Sequence, residues 1–227
     1  MRRMTSLRKV GRRAFGFVLL ASLAGGTPGW AQAGSAAAKL RATATPSAAV
    51  QSMLQWVLQL GDNEGAPFAV IDKQRAHLWL YDAAGRPKGN SPVLLGLARG
   101  DASVPGIGER PLAQIEPHER TTPAGRFIAE RGRNLNGEDI FWIDYDAAVS
   151  MHRVRANNVV ERRLERLASP TVEDNRISYG CINVPAAFYD QAIDPLFTAS
   201  RPVVYLLPET MPAGSLFAPK REAAARP

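Results

Sequence analysis

The sequence has very little of the residues that build disulfide frameworks and metal centres. Its 227 residues contain one cysteine, Cys181, and three histidines, His77, His118 and His152. A single cysteine cannot form a disulfide within the chain, and these four side chains are not spaced as a metal-ligand motif. We therefore expect no metal site and no cofactor.

Long apolar runs and internal repeats are also missing. The longest apolar run, Ala14 to Ala24, is too short to span a bilayer comfortably. It follows a basic stretch and precedes Ala31-Gln32-Ala33, a small-x-small sequence typical of a signal-peptide cleavage site. The sequence thus predicts a signal peptide over 1–33, cleaved after Ala33, and a periplasmic or secreted protein. Membrane contact is expected only through this segment, if it stays uncleaved.

Basic residues outnumber acidic ones, but most of the excess lies in the predicted signal peptide. The chain has 28 lysines and arginines against 21 aspartates and glutamates. Six of the basic residues and none of the acidic ones lie within 1–33, so 22 basic residues face 21 acidic ones in the rest of the chain. A nearly neutral mature chain argues against a nucleic-acid partner.

The two ends of the mature chain differ from its middle in composition. Residues 34–46 are rich in Ala, Thr and Ser and predict a flexible lead-in. A helix is expected over 47–61, with Ser47 as its N-cap and Gly61 at its end. The tail, 209–227, is rich in Pro, Ala and Arg and is expected to be disordered.

Between these ends, from 66 to 208, the pattern predicts a mainly β domain. The apolar period becomes two, which is typical of strands, and only short helices are expected late in the chain. In the second strand Leu78 and Leu80 share one face, so His77 is expected at the solvent side or the rim. The fold class is therefore a single β-sandwich or barrel domain behind an N-terminal helix.

Two segments of this domain predict departures from plain strands. Residues 100–122 are rich in Gly and Pro and lack periodicity, so we expect a loop that covers or lines a groove. Residues 159–167 are highly charged and predict a short helix whose polar face is solvated.

One stretch, ISYGCINVP at 177–185, has residue types that predict chemistry. In an exported protein an unpaired thiol is either buried and inert or reactive. Histidine is the usual group that generates a thiolate, and His152 follows an apolar strand-like run that could hold its imidazole in place. Backbone amides at 179–181 could form an oxyanion hole. The pattern predicts acyl transfer through a thioester on Cys181, with His152 as the base.

The sequence SYGCIN at 178–183, with His152 upstream, resembles the active-site motif of the L,D-transpeptidase (YkuD-like) family. The resemblance covers 66–208 and includes the opening hairpin and the TPAG turn at 122–125. It implies a β-sandwich-like catalytic domain that acts outside the inner membrane on peptidoglycan stem peptides. It also implies that the cysteine attacks an L,D-peptide bond and passes the acyl group to an amine, typically that of diaminopimelate.

Matched residue by residue, the resemblance assigns Cys181 as the nucleophile and His152 as the catalytic histidine. Ser178, Gly180 and Asn183 match the surrounding motif. The chain departs from the family at Tyr179, where a second histidine is usual, and after His152, where Arg153 replaces a small residue. The gap that follows His152 is also longer than usual, which implies an insertion at 159–167 that reshapes one wall of the groove.

Three arginines flank the motif and are candidate contacts for the carboxylates of a stem peptide. They are Arg153, Arg155 and Arg176, and Arg176 is preferred because it lies nearest to Cys181 in sequence. Tyr179 cannot act as a base near neutral pH with an ordinary pKa, so a hydrogen-bonding, stacking or packing role is expected for it.

Two alternatives to a transpeptidase follow from the same residues. An L,D-carboxypeptidase or endopeptidase would give the same acyl-enzyme to water instead of an amine. A catalytically silent wall-binding protein would keep the fold without turnover, and the replacement at Tyr179 is its main support.

Overall fold

A computed structural model of the chain describes residues 44–217. The predicted signal peptide, most of the predicted lead-in and the end of the predicted tail lie outside the described residues. The described part is mainly strand, with an N-terminal helix and short late helices, so the predicted fold class is confirmed. Its strands are β1 (Phe68–Asp72), β2 (His77–Tyr81), β3 (Pro87–Pro92), β4 (Leu95–Gly96), β5 (Gly125–Ile128), β6 (Glu130–Arg133), β7 (Asp139–Asp144), β8 (Val149–Arg153), β9 (Arg176–Ser178), β10 (Ile182–Val184) and β11 (Val203–Leu206).

Apart from the first helix, the α-helices are short. They are α1 (Ala48–Leu60), α2 (Arg163–Ala168), α3 (Ala186–Phe188), α4 (Asp194–Phe197), which a π-helical turn at Tyr189–Ile193 joins to α3, and α5 (Gly214–Phe217). The predicted N-terminal helix is thus found. Ser47 caps it by accepting the amide N–H of Val50 at 3.2 Å, and Gly61 ends it in the left-handed conformation that glycine adopts readily.

Two packed sheets form the domain. The five-stranded sheet has the order β3-β2-β1-β11-β5, and the four-stranded sheet has the order β10-β8-β7-β6. In each sheet one pair is parallel, β1 with β11 and β8 with β10, and the other pairs are antiparallel. A short parallel pair, β4 and β9, adjoins β10 through a bridge between Leu94 and Asn183.

The main core lies between the two sheets. Alternate residues of β1, β2 and β11 face alternate residues of β7, β8 and β10, and the helical turns after β10 close one side. The buried members include Ile71, Leu80, Phe141, Met151, Ile182, Tyr189, Phe197 and Leu206. Because each strand contributes every second residue, the opposite face of β8 and β10 remains available for polar side chains.

A second core covers the other face of the five-stranded sheet. Trp79 and Tyr81 of β2, which lie on the same face as His77, are buried there against α1, whose Val50, Met53 and Val57 point inward. That face is therefore not a solvent face, because α1 packs across it; only His77, at the start of the strand, stays partly exposed. The bond from Ser47 Oγ to Asp72 Oδ2, 2.6 Å, ties the helix N-terminus to β1.

The first part of the segment predicted to be disordered, 209–217 of 209–227, lies within the described residues and contacts the domain. Glu209 and Thr210 donate their backbone N–H groups to the carboxylate of Asp101, both at 2.8 Å. Burial raises the pKa of Asp101, but the Thr210 hydroxyl, these amides and Lys73 outweigh it and hold the pKa well below its usual value. Phe217 is buried against Trp56 and Tyr205. These contacts join residues that are far apart in the sequence, so composition does not show them.

No helix within residues 44–217 is both long enough and apolar enough to cross a membrane.

Candidate active site

The parallel pairing of β8 and β10 brings the predicted nucleophile and base together. Ile182 lies opposite Met151, and Asn183 lies opposite His152. Cys181 immediately precedes β10 and is therefore level with Ser150. Because Met151 and Ile182 point into the core, the side chains of Cys181, Ser150 and His152 share the opposite face.

The Cys181 thiol is partly exposed, and His152 and Ser150 beside it favour its ionised form. Its Sγ lies 3.6 Å from the hydroxyl of Ser150 and 3.6 Å from the carbonyl oxygen of Ala148. Burial raises the pKa of the thiol, but His152 and the hydroxyl and amide of Ser150 outweigh it, so the pKa lies below its ordinary value. A lower pKa increases the thiolate fraction at neutral pH, and the thiolate is the nucleophile.

The imidazole of His152 is held by the backbone of the next residue. Its Nδ1 lies 2.7 Å from the carbonyl oxygen of Arg153. A carbonyl oxygen can only accept a hydrogen bond, so Nδ1 carries a proton, and in the neutral imidazole the lone pair is on Nε2. The nitrogen left to take the proton of Cys181 is therefore Nε2.

Ser178 fixes the shape of the nucleophile loop, residues 179–181, which joins β9 to β10 and carries the candidate nucleophile. Its hydroxyl donates to the carbonyl oxygen of Cys181 at 2.6 Å and accepts the amide N–H of Gly180 at 3.1 Å. This amide is therefore occupied within the loop. Of the three amides predicted to form an oxyanion hole, those of Tyr179 and Cys181 remain candidates.

A neighbouring backbone segment leaves no room for a side chain at position 180. The φ of Gly180 is +134°, and a Cβ at this position would lie 2.8 Å from the carbonyl oxygen of Thr121. Thr122, fully buried, donates its hydroxyl to the carbonyl oxygen of Gly180 at 2.8 Å and accepts the amide of Gly96, also at 2.8 Å. The end of the 100–122 segment is thus a support for the nucleophile loop.

Tyr179 packs against an arginine from the same segment. The guanidinium carbon of Arg120 lies 4.1 Å from the centre of the Tyr179 ring, within the range of a cation–π contact. Arg120 also donates two hydrogen bonds to the carbonyl oxygen of Ile115, at 3.1 and 2.9 Å. The structure therefore places a stacked aromatic ring where the resembled family usually has histidine.

Asn183 connects the nucleophile loop to the charged segment. Its side-chain amide donates to the carbonyl oxygen of Cys181 at 3.2 Å, and its Oδ1 accepts from Arg163 of α2 at 2.6 Å. Arg163 is also paired with Glu161. Residues 159–167 are therefore not only a solvated face, since one arginine anchors them beside the candidate site.

The structure places Arg176 in an internal ion-pair network. Its guanidinium is 5% exposed, bonds the carboxylate of Glu209 and donates to the carbonyl oxygen of Lys73 at 2.6 Å. Lys73 itself is fully buried and pairs with Asp101 at 2.9 Å. A substrate carboxylate could reach Arg176 only by displacing Glu209, so nearness to Cys181 in sequence was a poor guide to its surroundings.

Arg153 and Arg155 lie at a cavity of about 310 Å³ that also contains His152. Arg153 is paired with Asp139 at 3.2 Å and with Asp190 at 2.6 Å, and it lies over the ring of Tyr189. Arg155 is paired with Glu138. Both arginines are partly exposed, so a ligand in the cavity can reach them.

The sequence analysis did not identify several residues that shape this site. They are Ser150, Arg120 and Arg163, together with the cavity carboxylates of Glu138 and Asp139. Ser150 alone carried a usable signal, because it lies two residues before His152 in a strand-like run and must share its face. The others reach the site through tertiary contacts that spacing does not show.

Among residues 44–217, no group of three or more His, Cys, Asp or Glu side chains is arranged to hold a metal ion.

Comparison with known proteins finds similarity to solved structures alone. No family model matches the chain, and no curated protein sequence matches it. A mutant of the helical cell shape determining protein Pgp2 from Campylobacter jejuni is 14% identical, with a TM-score of 0.42. The alignment covers 69% of this chain and 54% of that one, so this chain spans about half of that protein.

Two structures of L,D-transpeptidases from Enterococcus faecium are also similar. The catalytic domain solved by NMR is 18% identical, with a TM-score of 0.35, over 63% of this chain and 98% of that one. A crystal structure of a mutant L,D-transpeptidase is 16% identical, with a TM-score of 0.33, over 63% of this chain and 50% of that one.

Proposed function

We propose that this protein is a periplasmic cysteine acyltransferase of the L,D-transpeptidase type that acts on peptidoglycan stem peptides. The observation that carries the proposal is the pairing of Cys181, a partly exposed thiol with a lowered pKa, with a histidine whose Nε2 is free to accept its proton. The motif SYGCIN around this pair supports the choice of substrate class.

The first half of the proposed reaction forms a thioester. His152 Nε2 takes the proton of the Cys181 thiol, and the sulfur attacks the carbonyl carbon of the L,D-peptide bond. As the C–S bond forms and the C–N bond breaks, the imidazolium returns the proton to the leaving amine. The amides of Tyr179 and Cys181 are the proposed donors to the oxyanion, and such donors contribute roughly 3 kcal/mol each in comparable enzymes.

The second half releases the acyl group to an acceptor amine. The amine nitrogen attacks the thioester carbon, the C–S bond breaks, and His152 transfers the proton from nitrogen to the departing thiolate. Water in place of the amine would give a hydrolase with the same first half.

The proposal is tested by incubating the purified mature protein with tetrapeptide muropeptides and identifying products by mass spectrometry. The expected products are cross-linked dimers from the wild type and none from Cys181→Ala. Carbapenem should add one adduct, located on Cys181, to the wild type alone.

Three results would replace the proposal with one of two other functions. Free tripeptide without dimers would identify a hydrolase. A Cys181 that resists both alkylation and carbapenem, or a Cys181→Ala variant with wild-type turnover, would identify a wall-binding protein without cysteine catalysis.

A further inference from the structure

Asn183 has a fixed backbone, so its side-chain amide is the part of the residue that can still turn. In the pairing of β10 with β8 it lies opposite His152, and it exchanges two backbone hydrogen bonds with Leu94, each 2.9 Å long. Cys181 is two residues away along the chain, so the two side chains point to the same side. The amide of Asn183 is therefore a neighbour of the candidate nucleophile.

This amide joins a group that only accepts hydrogen bonds to a group that only donates them. Its Nδ2 donates to the carbonyl oxygen of Cys181 at 3.2 Å, and its Oδ1 accepts from Nη1 of Arg163 at 2.6 Å. Only one orientation of the amide satisfies both neighbours, because the reversed one sets oxygen against oxygen and NH₂ against the guanidinium. Asn183 is fully buried, so water cannot relieve the reversed contacts.

Arg163 is held in place for this contact, whereas α2 does not depend on it. The carboxylate of Glu161 pairs with its guanidinium, and the arginine side chain is only 15% exposed. Arg166 anchors the helix separately by donating to the carbonyl oxygens of Glu161 and Asp174, at 2.9 and 3.1 Å. A substitution at Arg163 should therefore remove the contact with Asn183 and leave α2 in place.

The carbonyl oxygen of Cys181 receives one donor from each side of the nucleophile loop. The hydroxyl of Ser178 donates at 2.6 Å from the residue before the loop, and the amide of Asn183 donates at 3.2 Å from beyond it. Loss of the second donor frees the peptide plane that follows Cys181 to rotate. Such a rotation moves the thiol, whose Sγ lies 3.6 Å from the hydroxyl of Ser150, away from the groups that favour its ionised form.

We propose that Arg163 is a positioning residue for the nucleophile: it fixes the orientation of the Asn183 amide and thereby holds the Cys181 thiol beside His152. The inference rests on the proposed function, because acyl transfer is the reaction that the position of the thiol affects. Arg163 does not touch the reacting atoms and exchanges no proton. The charged segment 159–167 thus acts on the nucleophile as well as on the wall of the groove.

The rate of Cys181 acylation by a carbapenem, followed by mass spectrometry over a range of carbapenem concentrations, separates positioning from binding. Arg163→Gln should lower the rate at saturation about tenfold, the effect of one hydrogen bond to a charged group, and leave the half-saturating concentration unchanged. Glutamine both donates and accepts, so it imposes no orientation on Asn183. Arg163→Lys keeps a cation that only donates and should recover most of the rate. Equal losses in the two variants would indicate lost packing and overturn the proposal.

A double-mutant cycle tests whether Arg163 acts through Asn183. In an Asn183→Ala background, Arg163→Gln should cause no further loss of rate, because no amide is left to orient. Losses that multiply would show independent action and overturn the proposal. Asn183→Asp is a second variant that keeps a partner for Arg163. It should also slow acylation, since a carboxylate has no proton to donate to the carbonyl oxygen of Cys181, and a wild-type rate would contradict the proposal.

The matched control is Arg162→Gln, which removes the neighbouring arginine of the same segment. Arg162 is 68% exposed and pairs with Glu165 of α2. The control should acylate at the wild-type rate. If it slows as much as Arg163→Gln, the charge of the segment matters and the contact with Asn183 does not, so the proposal is wrong.

The pH profile of iodoacetamide alkylation reports on the thiol without acyl transfer. Arg163→Gln should move the alkylation midpoint upward, because a displaced thiol is farther from His152 and Ser150, whereas Arg162→Gln should not move it. If wild-type Cys181 forms no carbapenem adduct, the proposed function fails and the alkylation midpoints still decide this inference. If Arg163→Gln is acylated at the wild-type rate with an unchanged midpoint, the inference fails and the proposed function stands.

Discussion

His152 donates its Nδ1–H to the carbonyl oxygen of Arg153 across 2.7 Å. This bond fixes both the tautomer and the orientation of the ring, so Nε2 is the atom presented as a base. The donor and the acceptor belong to consecutive residues of β8, so the orientation of the ring is built into one strand and needs no third side chain.

Replacement of this histidine should remove the base without unfolding the domain. For His152→Gln we expect the rate of thioester formation with a carbapenem to fall by roughly 10²- to 10⁴-fold, the usual contribution of general base catalysis. Mass spectrometry over time measures this rate. His118→Gln is the control, because His118 is an exposed histidine in a 3₁₀ turn outside the site. A wild-type rate in His152→Gln would show that another group activates Cys181.

Cys181 should react as a thiolate at lower pH than an ordinary cysteine. Its pKa is lowered by His152 and Ser150 in spite of burial, so the rate of iodoacetamide alkylation should reach half of its maximum below pH 8.5, the approximate midpoint for a free thiol. Ser150→Ala should move that midpoint upward, because the thiolate loses a hydrogen-bond donor. Unfolded protein is the reference.

The same shift has a consequence for stability. The pKa of Cys181 is lower in the folded protein than in the unfolded chain. Ionisation of Cys181 therefore stabilises the fold at pH values above the pKa of the unfolded chain, and this contribution disappears as the pH falls through the pKa of the folded protein. An alkylation midpoint equal to that of the unfolded chain would contradict both statements.

Gly180 should tolerate no side chain. Gly180→Ala combines a φ of +134° with a Cβ 2.8 Å from the carbonyl oxygen of Thr121, so the nucleophile loop must shift. We expect a lower melting temperature and loss of carbapenem acylation. Gly137→Ala is the matched control, because its φ is also positive, +78°, and its Cβ would meet nothing within 4 Å. It should lose only about 1 kcal/mol in the free energy of unfolding.

Glu209 should stabilise the domain from a region that composition predicts to be disordered. Its carboxylate is fully buried between Arg176 and Lys73, and Glu209→Gln leaves these two cations short of negative charge. Breaking a buried pair costs about 3–5 kcal/mol, which chemical denaturation can measure. Glu173→Gln is the control: its carboxylate is 71% exposed and pairs with Arg99, so the expected loss is below about 1 kcal/mol. Equal losses in the two variants would contradict an internal role for Glu209.

Local sequence patterns determined several parts of this protein correctly. The Ser47 and Gly61 caps and the apolar period between them predicted α1, because capping and helical spacing depend on neighbouring residues. The period of two predicted the strands and the mainly β class. Cys181, immediately before β10, lies near His152 on the adjacent strand β8, and the catalytic roles of both residues stay predictions. The composition of 209–227 gave no sign of the contacts that residues 209–217 make with Asp101 and with the second core.

Only the tertiary structure decided what surrounds the candidate nucleophile. Arg176, near Cys181 in sequence, is buried with Glu209, whereas Arg163, in a segment expected to be solvated, bonds Asn183. Sequence distance carries no information about direction, and long side chains can turn toward either the core or the cavity. The amino-acid sequence by itself determined which residue types and local periods were present. The pairing of β8 with β10 decided which of them meet, because a parallel pair joins distant segments in a register that neither segment specifies alone.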